Sequence, residues 1–403
     1  MIISAGDKEL DITVEAPPSK SIFHRELIVR FLMGAKDPLE PSAGDNDDII
    51  ATKACLAAVA GGGDEVVLPC SESGSTLRFM IPVAAAYLLN DKDKRSDKLI
   101  FETKGRLFDR PLEELEEALL PHGIKITKDA DTRRIIVTGR MTPGDYAIDG
   151  GVSSQYISGL LMALPLFSEP CTITVKGQMK SARYVDLTLD VMAKYGQTVE
   201  VSDNKYAVKP LAGLAVPVSG FKVEGDWSNG AFLLCLAEFS KIRVSGLDYS
   251  SHQGDRAIVD YLRFAKTHVA GDDCVWECGD TPDIVPYMAV TAPFYFDKIT
   301  FTGVSRLRIK ESDRVCAVRE QLSAIGVKTE EEEDSLTVYG MEDQVMDKVP
   351  QVISLSSYHD HRMAMCAVLI AVILKIRVDI DDIECLNKSF PELQEIIRRE
   401  MIP

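Results

Sequence analysis

The sequence predicts a two-domain α/β protein. Three observations carry this: a length of 403 residues, a helix-plus-hairpin unit that recurs along the chain, and apolar helical runs opened by small polar clusters. A chain of that length exceeds what one ordinary hydrophobic core organises. Hydrophobic residues make up 46% and charged residues 27%, a balance that excludes a disordered or fibrous polymer.

The repeat is legible residue by residue. After Arg110 comes the helical run PLEELEEALLPHG and then the alternating IKITKDADTRRIIVTG. YVDLTLDVMAKYG and QTVEVSDNKYAVKP follow Arg183, and VCAVREQLSAIG and VKTEEEEDSLTVYG follow Arg314. Each unit reads as an arginine, an amphipathic helix, a helix-ending glycine (Gly123, Gly196, Gly326) and a hairpin with Asp or Asn at its turn. A vaguer copy runs from Arg256 through IVDYLRFAKTHVAGDDCVWEC. Spacings of roughly 60 to 75 residues are too long for a solenoid and fit modules inside two compact halves.

The longest apolar runs, Phe79–Leu89 and Met363–Leu374, fall short of the ~20 residues that span a bilayer and predict buried helices. The N-terminus, MIISAGDKELDITV, lacks a basic start followed by an apolar stretch, so a cytoplasmic location without a secretory leader is expected. Nine scattered cysteines, most of them inside apolar runs, predict buried reduced thiols. Cys274 and Cys278 lack a second Cys or His pair, so no zinc site is expected there.

With 45 basic and 62 acidic residues, the formal net charge of −17 argues against nucleic-acid and membrane partners. It leaves a small anionic ligand open, because a closed cleft feels its own lining more than distant surface charge. Polar clusters open apolar helices in PSKSIFHRELIVRFL, ESGSTLRFMIPVAA, GVSSQYISGLLMALP, GDWSNGAFLLCLA and HDHRMAMCAVLIAV. Ser, Asp and Asn there are ordinary N-caps, yet several helix N-termini gathered at one place would also hold an anion.

The bases lie where such a site needs them. Ser21 and Arg25 share a helix face beside Lys20, Arg78 follows Gly74-Ser75-Thr76, and Arg110 precedes Pro111, a residue suited to the first helical position. At i and i+4, Lys310 and Arg314 are expected on one helical face; Arg362 opens an apolar helix, and Lys388 precedes Ser389-Phe390-Pro391. Each alone reads as a solvated surface base, but together they match what two phosphates and a carboxylate require. Asp283 and Glu311 sit among them. The bland reading is a cap and a salt-bridge partner; the functional one is a pair of carboxylates kept ionised by cations and able to accept protons.

Matching segments in a fixed order give the chain a family resemblance: PPSKSIFHR, GDNDDI, ESGSTLRF, GRLFDRPL, GVSSQYISGLLMALPL, KSARYVDLTL, VEGDWSNGAFLL, QGDR, GDTPDIVPYMAV, LRIKESDR, YHDHRMAM and NKSFPEL. Along essentially its whole length it resembles the enolpyruvyl transferases, and among them those acting on shikimate 3-phosphate. The resemblance implies a two-domain inside-out α/β barrel with three repeated helix-and-strand units per domain and an active site in the interdomain cleft. It implies an N-terminal domain over residues 18–225, on the shikimate 3-phosphate side. Residues 1–17 and 226–403 would form a discontinuous C-terminal domain, on the phosphoenolpyruvate and proton-transfer side.

Carried over position by position, Ser153, Ser154 and Ser181 would surround the shikimate phosphate, and Tyr184 would stack on the ring. Lys20, Ser21, Arg25, Gln155, Asp283 and Lys310 would hold the rest of that substrate. Phosphoenolpyruvate would lie against Lys20, Gly74, Arg110, Gln155, Arg314, Arg362 and Lys388, the pocket that glyphosate-type inhibitors of the family occupy. The implied reaction is transfer of the enolpyruvyl group to the 5-hydroxyl with release of phosphate, by addition and elimination, in the shikimate pathway to chorismate and aromatic amino acids. Asp283 would act as base, with Glu311 or Lys20 as acid. No metal or organic cofactor and a monomer are expected. Glu72, Phe79, Arg306 and His359 depart from the family pattern, and the first two leave inhibitor sensitivity open. A sister enzyme acting on a UDP-sugar usually carries a reactive cysteine near the counterpart of Arg110, and no Cys occurs between Cys70 and Cys171. A non-catalytic relative would keep the phosphate clamp and lose Lys20, Asp283 and Glu311, all present here.

Overall fold

Two short strands, β1 (Ile2–Ser4) and β2 (Thr13–Glu15), open the computed structural model. It describes residues 1–4, 10–90, 96–151, 153–177, 179, 181–211, 215–269, 271, 273–342, 346 and 348–402. Val152 and Lys180, within two of the family-like segments, lie outside the described residues. The chain divides into two compact units, Lys20–Val223 and Met1–Ser19 with Glu224–Pro403. Both are mixed α/β, built on several small mixed sheets.

The Lys20–Val223 unit begins with α1 (Lys20–Leu32) and α2 (Asp47–Gly61) and then repeats one module twice. In the first copy β3 (Glu65–Ser71) runs through α3 (Gly74–Leu88) into β4 (Lys98–Thr103), parallel to it. The short α4 (Glu113–Leu119) leads to a hairpin, β5 (Ile124–Asp129) and β6 (Arg134–Gly139), whose second strand pairs antiparallel with β4. The second copy is β7 (Asp145–Asp149), α5 (Ser154–Ala163), β8 (Cys171–Lys176), α6 (Arg183–Lys194), β9 (Val199–Ser202) and β10 (Lys205–Val208). Both sheets have the same order: the parallel pair, then the second hairpin strand, then the first.

The other unit holds α7 (Trp227–Glu238), β11 (Arg243–Ser245) and α8 (Ile258–Thr267). A third copy of the module follows: β12 (Cys274–Glu277), α9 (Val285–Thr291), β13 (Lys298–Thr302), α10 (Arg314–Ala324), β14 (Thr329–Glu331) and β15 (Ser335–Tyr339). Parallel β16 (Val352–Leu355) and β17 (Arg377–Ile380) flank α11 (His361–Leu374), β1 adds antiparallel to β17, and α12 (Pro391–Glu400) ends the chain. The three expected helix-plus-hairpin units are therefore α4, α6 and α10 with their hairpins. The vaguer copy after Arg256 is different: α8 leads into the single strand β12, which pairs parallel with β13.

The glycine punctuation has a physical cause. After α6 and α10, Gly196 and Gly326 take φ of 82°, and the next residue's N–H (Gln197, Val327) reaches back to Met192 and Leu322. A side chain at positive φ is costly, and this closure satisfies carbonyls that a helix end leaves open.

The predicted apolar runs become α3 and α11, buried nearly all round, as helices without a polar stripe must be. All nine cysteines are free thiols. Close approach of α3 and α5 depends on Gly159, where an added Cβ would lie 2.8 Å from the Arg78 carbonyl and 2.9 Å from Pro82. Because backbone blocks that space, Gly159→Ala is expected to cost about 1–3 kcal/mol, read as a lower urea midpoint at unchanged m.

Candidate active site

In the Lys20–Val223 unit, polar side chains at or near helix starts bond between α1 and α2, between α1 and α5 or α6, and between α3 and α5. Lys20, the first residue of α1, pairs with Asp48 of α2 at 2.8 Å. Arg25, one turn on, is buried and donates to Thr188 Oγ1 (2.7 Å), the Tyr184 carbonyl (2.8 Å), the Ser21 carbonyl (2.5 Å) and Ser158 Oγ (3.3 Å). Burial draws its pKa down to about 10. Four of its five N–H donors are thus used, three in joining α1 to α5 and α6 and one within α1.

Gln155, in the first turn of α5, reaches α3 twice: Arg78 donates to its Oε1 and its Nε2 donates to Ser75, each at 2.8 Å. Ser153 caps α5 by accepting the Gln155 N–H, and Ser154 beside it is buried. Ser181 is buried just before α6 at φ 55°, where its carbonyl accepts the Tyr184 N–H. Gly74 opens α3 against two guanidiniums: a Cβ there would stand 2.6 Å from Arg110 Nη1 and 3.2 Å from Arg78 Nη1. The bare glycine thus makes room first for Arg110. Pro111 lies outside α4, which begins at Glu113, so the expected helix-opening proline is not one.

The second unit assembles a denser set. Asp283 Oδ1 meets Arg314 Nη1 at 2.7 Å and Lys310 Nζ at 3.3 Å. Glu311 bonds Arg314 Nη2 at 2.9 Å and faces Lys388 Nζ at 3.7 Å. Arg314, 1% exposed, is gripped from behind by the fully buried Asp360 through Nε (2.8 Å) and Nη2 (3.2 Å). Asp360 also caps α11, accepting the Arg362 N–H, and takes a hydrogen bond from Ser312. Arg362 is buried with its Nη1 on the Tyr287 hydroxyl at 2.7 Å.

The helical expectation for Lys310 fails in a useful way. Lys310 follows a 3₁₀ turn in extended backbone, and α10 begins only at Arg314 behind the cap Asp313. Both cations meet because each reaches Asp283. Nor is Asp283 a helix cap: the residue before α9 is Ile284, which makes no side-chain cap.

The electrostatics follow from the geometry. Burial would push Asp283 up, but Lys310, Arg314 and Arg362 outweigh it and hold the carboxyl well below the usual range. Burial is also the largest effect on Lys310, and with Arg314 and Arg306 it brings the amine down to about 8 against the pull of Asp283. Asp255, buried beside this set and hydrogen-bonded by Ser228, is pushed up to about 7, by burial first and then by Asp283.

The departing residues have places too. Phe79 lies under Arg25, its ring 4.9 Å from the guanidinium, with His24 edge-on. Glu72 packs where a Cβ on Gly105 would sit. His359 holds a left-handed conformation before Asp360 and pairs with Asp382. Arg78 in one unit and Asp360 in the other, both absent from the predicted ligands, bond to predicted site residues there, Gln155 and Arg314; Arg78 stands one helical turn beyond Gly74, and Asp360 reads in the sequence only as a cap.

Each unit by itself is therefore an α/β body with buried cations at helix starts, and one carries an ionised carboxylate among them. Buried cations and an ionised carboxylate are what holding an anion and moving a proton require, the equipment of an enzyme acting on anionic small molecules. The family profile of EPSP synthase (3-phosphoshikimate 1-carboxyvinyltransferase) matches residues 42–397. A 3-phosphoshikimate 1-carboxyvinyltransferase of Clostridium kluyveri is 31% identical, over 98% of this chain and 96% of its own length. One from Clostridioides difficile is 30% identical, over 94% and 92%. EPSP synthase from Acinetobacter baumannii shares the fold at a TM-score of 0.71 and 19% identity, covering 99% of this chain and 97% of its own. An enolpyruvyl transferase from Streptomyces tendae shares it at 0.66 and 14%, covering 100% and 99%. The chain belongs to the EPSP synthase family.

Proposed function

We propose that this enzyme transfers the enolpyruvyl group of phosphoenolpyruvate to the 5-hydroxyl of shikimate 3-phosphate and releases phosphate, on the route to chorismate and the aromatic amino acids. Membership of the family supports the reaction. The observation that carries the mechanism is Asp283, an ionised carboxylate 2.7 Å from Arg314 and 3.3 Å from Lys310.

Asp283 takes the proton of the 5-hydroxyl as that oxygen attacks C2 of the enol, while Glu311 or Lys20 delivers a proton to C3 and makes a methyl group. The C2–O bond that carries the phosphate then breaks in the tetrahedral adduct, the electron pair leaving with the phosphate, while a base takes a proton from the methyl group and restores the double bond. Cations fixed beforehand stabilise the departing charge without reorganising. Arg110, Arg314, Arg362 and Lys388 hold phosphoenolpyruvate with Lys20, Gly74 and Gln155. Ser153, Ser154 and Ser181 take the shikimate phosphate, with Tyr184, Ser21, Arg25, Gln155 and Lys310 on the ring and its substituents. The carboxylates around Arg314 leave it one donor, on Nη1, for the ligand. This reading takes Lys20–Val223 as the shikimate 3-phosphate half and the other unit as the proton-transfer half of an inside-out α/β barrel acting in its interdomain cleft. It also takes the protein as a cytoplasmic monomer. No helix among the described residues is long and apolar enough to cross a membrane.

The test is phosphate release from phosphoenolpyruvate, with shikimate 3-phosphate and UDP-N-acetylglucosamine as alternative acceptors. Release with shikimate 3-phosphate alone is expected; release with the UDP-sugar, or with neither, overturns the assignment. Because Lys310 loses its charge near pH 8, kcat/KM for shikimate 3-phosphate is expected to fall ~10-fold per unit above that pH. Lys310→Arg, which stays charged, moves that limb upward in the pH–rate profile; an unmoved limb assigns it to another group.

A further inference from the structure

Two buried arginines of one unit are held in opposite ways. Arg314 donates to three carboxylates, those of Asp283, Glu311 and Asp360. The Arg362 side chain donates to one acceptor among the described residues, the Tyr287 hydroxyl of α9 at 2.7 Å, and its buried Nε has none. Asp360 takes the Arg362 backbone N–H at 2.9 Å, while its carboxylate oxygens serve Arg314.

The direction of the Tyr287 bond is fixed. An arginine only donates, and a phenol has one hydrogen. That hydrogen points at Met365 Sδ, 3.0 Å away and one turn beyond Arg362 on α11, so the oxygen lone pair faces the guanidinium. Tyr287 and Met365 are both fully buried. The phenol is pushed well above its ordinary range by burial, and Arg362 stays charged beside it.

We propose that Tyr287 is a positioning residue for phosphoenolpyruvate: it fixes the Arg362 guanidinium with a neutral acceptor and so leaves the charge for the substrate's anionic group. A carboxylate in its place would orient the arginine equally well but cancel the field the ligand needs. A hydrocarbon would leave Nη1 buried and unpaired. The inference rests on Arg362 being a phosphoenolpyruvate ligand.

The experiment is a kinetic series on Tyr287→Phe, Arg362→Gln and the double variant, with melting temperatures. Tyr287→Phe keeps the ring and is expected to raise KM for phosphoenolpyruvate ~10-fold, with kcat within about twofold, KM for shikimate 3-phosphate unchanged and melting lowered by no more than a few degrees. Added to Arg362→Gln it is expected to change KM no further, because its effect passes through the arginine. If Arg362→Gln leaves KM for phosphoenolpyruvate unchanged, the ligand role of Arg362 fails. If Arg362→Gln raises it and Tyr287→Phe does not, or Tyr287→Phe raises both KM values together, the positioning role of Tyr287 is overturned.

Discussion

Asp283→Asn is expected to lower kcat about 10²–10⁴-fold while binding of shikimate 3-phosphate changes little. The substitution is nearly isosteric. Its carbonyl oxygen still accepts from Arg314 Nη1 at the 2.7 Å position, so the local frame survives. What disappears is the capacity to take a proton. A second consequence separates a lost base from a damaged site. Asp283 is the strongest influence raising the Lys310 amine, which burial, Arg314 and Arg306 bring down to about 8. With the carboxylate gone, Lys310 titrates lower, and the alkaline limb of the residual activity moves to lower pH. Single-turnover kinetics with calorimetric binding of shikimate 3-phosphate checks the first point and a pH profile the second. A kcat within threefold of wild type would give proton abstraction to another group.

The repeat was legible because its signals are local. An amphipathic helix, a glycine that must take positive φ and a turn between alternating strands all lie within some thirty residues, as in α6, Gly196 and the β9–β10 hairpin. The parallel pairings β3–β4, β7–β8 and β12–β13 have no such trace, since a helix intervenes and neither strand names its neighbour. Without that pairing in view, β12 read as the end of a vague repeat. Of the site, the bases and acids were legible as residue types, and the family resemblance gave them roles. Their partners were not. Asp360 reads as an N-cap, Tyr287 as one more apolar-run residue, and nothing in the sequence shows that Arg110 stands 2.6 Å from where a Cβ of Gly74 would be. Spacing misled at Lys310, where four residues suggested one helical face and the chain turned instead.

Arg314→Met is expected to abolish turnover and to destabilise its unit by about 3–5 kcal/mol at neutral pH, because Asp283, Glu311 and Asp360 all lose the cation they share. Asp360 is fully buried and loses two bonds at once, while Asp283 and Glu311, 22% and 15% exposed, lose their shortest cation contacts. The pH dependence should flatten. In the native enzyme Asp283 sits below its unfolded value, so its contribution is full above roughly pH 4 and is lost as pH falls through the depressed value. In the variant Lys310 and Arg362 still oppose the burial of Asp283 but Arg314 does not, so the depression shrinks and less stability is lost in acid. Urea denaturation at pH 7.5 and 3.5 measures the difference, and Arg314→Lys, which returns one charge without the fork, should fall between the two. A variant as stable as wild type at pH 7.5 would mean that water, rather than Arg314, satisfies Asp360.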